Sequence, residues 1–120
     1  MRPHSPRPRI LLVEDETTIC DFLCEALSKD YEVICVSRAD EALGVFTHQR
    51  FDVVLLDYYL VDGNGQDVAK RADQAEVPVV WMPGDPDTVN MLAKTSHFMI
   101  AKPFGIQKML DALAKARACH

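Results

Sequence analysis

Five short apolar runs, each followed by apolar residues at helical spacing, restrict this 120-residue chain to very few architectures. The runs are Ile10-Leu11-Leu12-Val13, Val33 to Val36, Val53-Val54-Leu55-Leu56, Val79-Val80-Trp81-Met82 and Phe98 to Ala101. Continuous apolar runs of four residues, rather than alternating ones, are what strands need when both faces of a sheet are covered. Between them, Ile19, Phe22, Leu23, Ala26 and Leu27 line one helix face, as do Ala39, Ala42, Leu43 and Phe46. Gly63 and Gly65 mark a turn before a weakly apolar helix through Val68, Ala69 and Ala72. Pro78 opens the fourth run and Pro83-Gly84-Asp85-Pro86 stops it, ahead of a helix through Val89, Leu92 and Ala93. Ile106, Met109, Leu110 and Leu113 define the last helix. Five βα repeats predict an α/β fold, a five-stranded parallel sheet with helices on both faces, and the length suits one domain.

Charge narrows the function. Lys and Arg number 13 against 18 Asp and Glu, and Arg2, Arg7 and Arg9 lie within the first nine positions. The remainder is acidic enough to be a poor match for a phosphate backbone, so no direct contact with nucleic acid is expected. Residues 1–9 read as a flexible basic arm, with the domain proper over 10–118; too few apolar residues follow the arm for a signal segment or membrane span. Cys20, Cys24, Cys35 and Cys119 form no C-x-x-C pair. They are expected to be reduced thiols in a cytoplasmic protein, with Cys20 and Cys24, one turn apart, the alternative redox pair.

In an open parallel sheet, ligands bind beyond the carboxyl ends of the strands. The residues there are Glu14 and Asp15 after the first run, Asp57 after the third, Pro83 and Gly84 after the fourth and Lys102 after the fifth. Each has a plain structural reading: acids favour helix N-termini, and a strand-ending Asp is often a turn residue or cap. Together they place three carboxylates and an ammonium on one edge. Clustered carboxylates repel one another and favour a hard divalent cation, Mg²⁺ above all. Asp57 is the natural nucleophile for an acyl phosphate, and Lys102 offers fixed positive charge to the phosphoryl oxygens.

The segments Ile10-Leu11-Leu12-Val13-Glu14-Asp15-Glu16, Asp57-Tyr58-Tyr59-Leu60-Val61-Asp62-Gly63-Asn64-Gly65 and Lys102-Pro103-Phe104 resemble those of response-regulator receiver domains. The likeness runs from about Arg9 to Ala116. It implies the CheY-like, flavodoxin-like strand order 2-1-3-4-5. It also implies phosphorylation at Asp57, with Asp15 and Asp57 as Mg²⁺ ligands, Glu14 acting through metal-bound water and Tyr59 lending its carbonyl to the metal. Lys102, with Gly84 and Tyr59, would meet the phosphoryl group, and the Lys102–Pro103 peptide would be cis. The implied donor is a histidine kinase or a phosphotransfer protein. With no output domain expected after Ala116, the expected output is contact with a downstream protein or use as a phosphate sink rather than enzymatic turnover, the alternative being a fragment of a larger regulator or hybrid kinase.

Two positions depart from the family pattern. Pro83 stands where Thr or Ser is usual, and Met99 where an aromatic switch residue is usual. Pro83 has neither a hydroxyl nor an N–H to offer. A receiver-fold interaction module uncoupled from phosphorylation is therefore the alternative reading. An aspartyl-phosphate hydrolase is a remoter one, because Tyr58 and Tyr59 occupy the positions beside Asp57 where such an enzyme needs a second acid or base.

Overall fold

The computed structural model describes residues 7–60 and 62–119. Five strands form one parallel sheet: β1 (Arg9–Val13), β2 (Glu32–Val36), β3 (Val53–Asp57), β6 (Val79–Met82) and β7 (Phe98–Met99). Their order is β2-β1-β3-β6-β7. This is the expected 2-1-3-4-5 once a small separate ribbon, β4 (Tyr59–Leu60) against β5 (Gly63–Asn64), is left out of the count. The helices are α1 (Thr17–Leu27), α2 (Ala39–Val45), α3 (Gln66–Gln74), α4 (Pro86–Leu92) and α5 (Ile106–Ala118).

Strand alternation divides the core in two. Ile10, Leu12, Val53, Leu55, Val80 and Met82 point to the face where Leu23 and Leu27 of α1 and Met109, Leu113 and Ala116 of α5 pack. Leu11, Val13, Val54, Leu56, Val79 and Trp81 point to the opposite face, against α2, α3 and Leu92 of α4. Every residue from Ile10 to Val13 and from Val53 to Leu56 is fully buried, which is why these runs contain no polar residue. Past these buried runs, acidic residues follow at once: Glu14 and Asp15 after β1, and Asp57 at the end of β3.

Some boundaries differ from the sequence expectation. Arg9, the last residue of the expected arm, opens β1; its N–H donates to Asp52 Oδ2 at 2.7 Å and its side chain pairs with Glu32 at 3.2 Å. The rest of that arm up to residue 6 lies outside the described residues. The last strand is shorter than 98–101, although Ile100 N–H still donates to the Trp81 carbonyl at 2.8 Å. The expectation of unpaired thiols is corrected: Cys20 of α1 and Cys35 of β2 are joined in a disulfide, and Cys24 and Cys119 are free. Cys20 pairs across to the neighbouring strand rather than with Cys24, a contact that spacing along the chain does not reveal. Among the described residues no helix is long and apolar enough to cross a membrane.

Candidate functional site

The chain brings Glu14, Asp15, Asp57 and Lys102 together at the carboxyl end of the sheet. β1 and β3 are direct neighbours in register, Val13 beside Leu56, so the residues that follow them emerge side by side. Carboxylate oxygens of Glu14, Asp15 and Asp57 lie within 4.8 Å of one another. Lys102 reaches in from the loop after β7; its Nζ is 3.2 Å from Glu14 Oε1 and 3.4 Å from Asp57 Oδ1. The Lys102–Pro103 peptide is cis. Lys102 N–H donates to the Pro83 carbonyl at 2.8 Å, which ties this loop to the end of β6.

Burial and charge act together on Asp57. Desolvation, then the neighbouring charge of Glu14, raises its carboxyl from 3.8 to about 6, with Lys102 opposing the rise and Asp15 adding to it. For Lys102, desolvation favours the neutral amine, but the carboxylates of Asp57 and Glu14 outweigh it and raise the ammonium above its ordinary range. Glu14 is almost fully buried, with Oε2 accepting from Glu16 N–H at 3.2 Å and Oε1 from Lys102. A half-buried cluster of hard oxygen donors with a surplus of negative charge fits a small divalent cation.

The other expected residues are placed less centrally. Tyr59 is largely exposed in β4, its hydroxyl 3.4 Å from Thr88 Oγ1 of α4. Tyr58 is buried against Trp81, ring centroids 5.2 Å apart. Gly84 is exposed and has open space where a Cβ would stand. Pro83 is buried at the end of β6. Met99 is half-buried and packs on the Trp81 side of the sheet, whereas Phe98 packs on the α1–α5 side, so alternation keeps the nearby aromatic out of the Met99 position.

Several supporting residues are visible only in three dimensions. Asp62 accepts from the backbone N–H groups of Ala39 and Asp40 at 2.9 and 3.0 Å, which holds its carboxyl below the usual range and ties the ribbon to the start of α2. Asp85 caps α4 by accepting from Thr88 N–H at 3.0 Å, and Pro86 follows it at the first helical position. Gly65, which opens α3, sits so close to β3 that a Cβ there would lie 3.0 Å from Leu56 Cδ1 and 3.1 Å from the Asp57 carbonyl oxygen. The Trp81 indole N–H donates to His97 Nδ1 at 3.0 Å, and His97 Nε2 lies 2.8 Å from Asp73 of α3. A buried indole N–H needs a partner. That need is legible from Trp81 in a strand, but the identity of the partner is not.

Comparison with known proteins identifies the family. The family model for the response regulator receiver domain matches residues 10–114. The DNA-binding response regulator MtrA of Mycolicibacterium paratuberculosis is 33% identical over 93% of this chain and 51% of its own length. The chain thus spans about half the length of the mycobacterial regulators it matches. Sporulation initiation phosphotransferase F of Bacillus subtilis is 30% identical, with 89% of this chain and 91% of that protein aligned. Among solved structures, the non-phosphorylated HemR receiver domain of Leptospira biflexa is 30% identical at a TM-score of 0.80, covering 93% of this chain and 95% of that one. The receiver domain of sensor histidine kinase PA1611 from Pseudomonas aeruginosa, solved with magnesium in its active-site cleft, shares the fold at a TM-score of 0.82 and 23% identity, over 93% of this chain and 98% of that one. With the family model spanning nearly the whole sheet and its helices, this chain belongs to the response regulator receiver domains of two-component signalling.

Proposed function

We propose that this domain accepts a phosphoryl group on Asp57 in a Mg²⁺-dependent reaction, from a histidine kinase or a phosphotransfer protein, and passes the signal on by protein contact. The observation that carries this reading is the position of the Asp57 carboxylate, 3.4 Å from Lys102 Nζ and inside the Glu14–Asp15 cluster. An Asp57 Oδ lone pair attacks phosphorus, the donor's leaving group departs with the bonding electrons, and an acyl phosphate remains on β3. With its carboxyl raised only to about 6, Asp57 is largely ionised at neutral pH and available as the nucleophile. Lys102 is held by Glu14 as well as Asp57, so its charge already stands beside the carboxylate that the incoming phosphoryl oxygens would approach. Asp15, Asp57 and the Tyr59 carbonyl would hold Mg²⁺ directly and Glu14 through water; the cation, when bound, neutralises charge that builds on the phosphoryl oxygens.

Gly84 lines a cavity of about 230 Å³ with Asp85, Pro86 and Lys102, which gives its unhindered backbone a place beside the phosphoryl group. At the end of β6, Pro83 brings no hydroxyl, and Met99 brings no ring to turn inward. The relay from Asp57 to the α4–β7 surface is thus atypical. These two residues are the observation behind the second reading, a receiver-fold module whose binding is independent of phosphorylation. Tyr59 presents a phenol, engaged near Thr88, rather than an acid or imidazole beside Asp57, which leaves a hydrolase of external substrates unsupported.

The test is incubation with a small-molecule phosphodonor, with and without Mg²⁺, followed by intact mass. One added phosphoryl group is expected, only with the cation, and none in Asp57→Asn. Modification of Asp57→Asn at the wild-type rate refutes the assignment, and an unmodified wild type in Mg²⁺ favours the uncoupled module.

A further inference from the structure

A second cluster of metal-ligating side chains lies behind the acidic one, and the acceptor chemistry makes no use of it. Cys20 and Cys24 lie one turn apart on α1, and Cys35 faces them from β2; their sulfur atoms all fall within 4.8 Å of one another. All three residues are half-buried. Cys20 and Cys35 also line a cavity of about 190 Å³ with Glu14, Asp15 and Asp21, so a small solute reaches the cluster from the same edge as the acceptor site.

We propose that, with the Cys20–Cys35 disulfide reduced, these three cysteines form a thiolate site for a soft d¹⁰ cation of the Zn²⁺ or Cu⁺ class. Two geometric facts support it. Sulfurs bound at about 2.3 Å to one ion in a trigonal array stand about 4.0 Å apart, within the 4.8 Å that bounds this cluster once reduction lets the bonded Cys20 and Cys35 sulfurs part. The Cα atoms of Cys20 and Cys35 are 7.1 Å apart. Directly bonded pairs usually span about 4.4–6.8 Å, and a sulfur–metal–sulfur bridge suits the wider spacing. The third thiol, Cys24, has no part in the disulfide, and in the reduced state it supplies the remaining ligand.

The chemistry of entry balances simply. A dithiol reductant gives two hydrogens to the Cys20 and Cys35 sulfurs and closes its own disulfide. Three thiols then release three protons to solvent as the cation binds. Thiolates select soft ions and carboxylates hard ones, so the two adjacent clusters sort cations by ligand type rather than compete.

The experiment uses the full chain, reduced with a dithiol, freed of it anaerobically, and titrated with Cd²⁺ in excess Mg²⁺. Thiolate-to-cadmium charge-transfer absorption should saturate at one equivalent and persist in Asp57→Asn and Cys119→Ser. Cys24→Ser should lose about a third of the absorption and weaken binding at least tenfold. Alkylation of wild type read by intact mass gives an independent check that needs no variant to fold: with Cd²⁺ bound, only Cys119 should be labelled. Absence of the absorption at one equivalent, an undiminished signal in Cys24→Ser, or labelling of Cys24 in the Cd²⁺-loaded protein overturns the proposal.

Discussion

The two halves of the carboxyl edge are built on different principles. At the ends of β1 and β3, charge is concentrated: Glu14, Asp15 and Asp57 meet Lys102, and burial raises the Asp57 carboxyl to about 6. At Pro83 and Met99, in the β6–β7 half, it is absent. Pro83 and Met99 carry no polar side-chain group, and a polar chain runs from Trp81 through His97 to Asp73 and onto α3. The difference separates what phosphoryl transfer needs from what a switch needs. Transfer needs charges fixed in place before the reaction. A switch needs a contact made in only one of two states, and on the proposed reading the groups that would make it are a proline and a thioether.

The largest expected effect comes from the charged half. Lys102→Ala should slow phosphorylation of Asp57 by roughly 10²- to 10³-fold, as loss of one preorganised charge does elsewhere. Single-turnover mass measurements with a small donor check this, and a loss below threefold would show that Lys102 is peripheral.

Next is stability in metal-free buffer. Because the folded chain binds the Asp57 proton more tightly than the ordinary value of 3.8 implies, this group's stabilisation is complete at acid pH and is lost as pH rises through about 6. Asp57→Asn carries no such charge. Allowing for partial solvent screening, it should exceed wild type by about 1–2 kcal/mol at pH 7.5 and match it near pH 4. Urea titrations at the two pH values measure the difference; an equal gap at both would mean that ionisation of Asp57 costs nothing.

The β6–β7 half should answer in stability and not in chemistry. His97→Ala leaves the buried Trp81 N–H without its partner and should cost about 1–2 kcal/mol, with phosphorylation kinetics unchanged. A slowed reaction would connect this corner to the acceptor after all. The smallest effect is expected from Pro83→Thr: a phosphorylation rate within about tenfold of wild type, or about 1.4 kcal/mol on the barrier, but larger amide shifts around Gly84 and Met99 on phosphorylation. A much greater rate gain without added shifts would make Pro83 a limit on the chemistry itself.

What was legible in the sequence follows the range of the interactions involved. The strands could be read because a sheet covered on both faces demands unbroken apolar runs, and the acidic cluster because its members sit where those runs stop. Asp62 could not be placed, since its partners Ala39 and Asp40 are brought near by the ribbon and not by helical spacing. Cys35 could not be assigned to Cys20 for the same reason: α1 packs on β2, but the spacing of the two residues obeys no local period. His97, just before the last strand, carries no motif that marks it, and only the fold sets it between Trp81 and Asp73.

Gly65 has a mechanical consequence. Where two elements touch through side chains, a displacement of one is partly absorbed by rotamers before it reaches the other. Between the start of α3 and β3 part of that cushion is missing: Gly65 N–H donates to the Tyr58 carbonyl at 3.0 Å, and a Cβ there would meet the Asp57 carbonyl oxygen at 3.1 Å beside the Leu56 side chain. The N-cap of α3 therefore bears directly on the backbone of β3 at Asp57, and a shift of that peptide reaches the helix through a backbone contact.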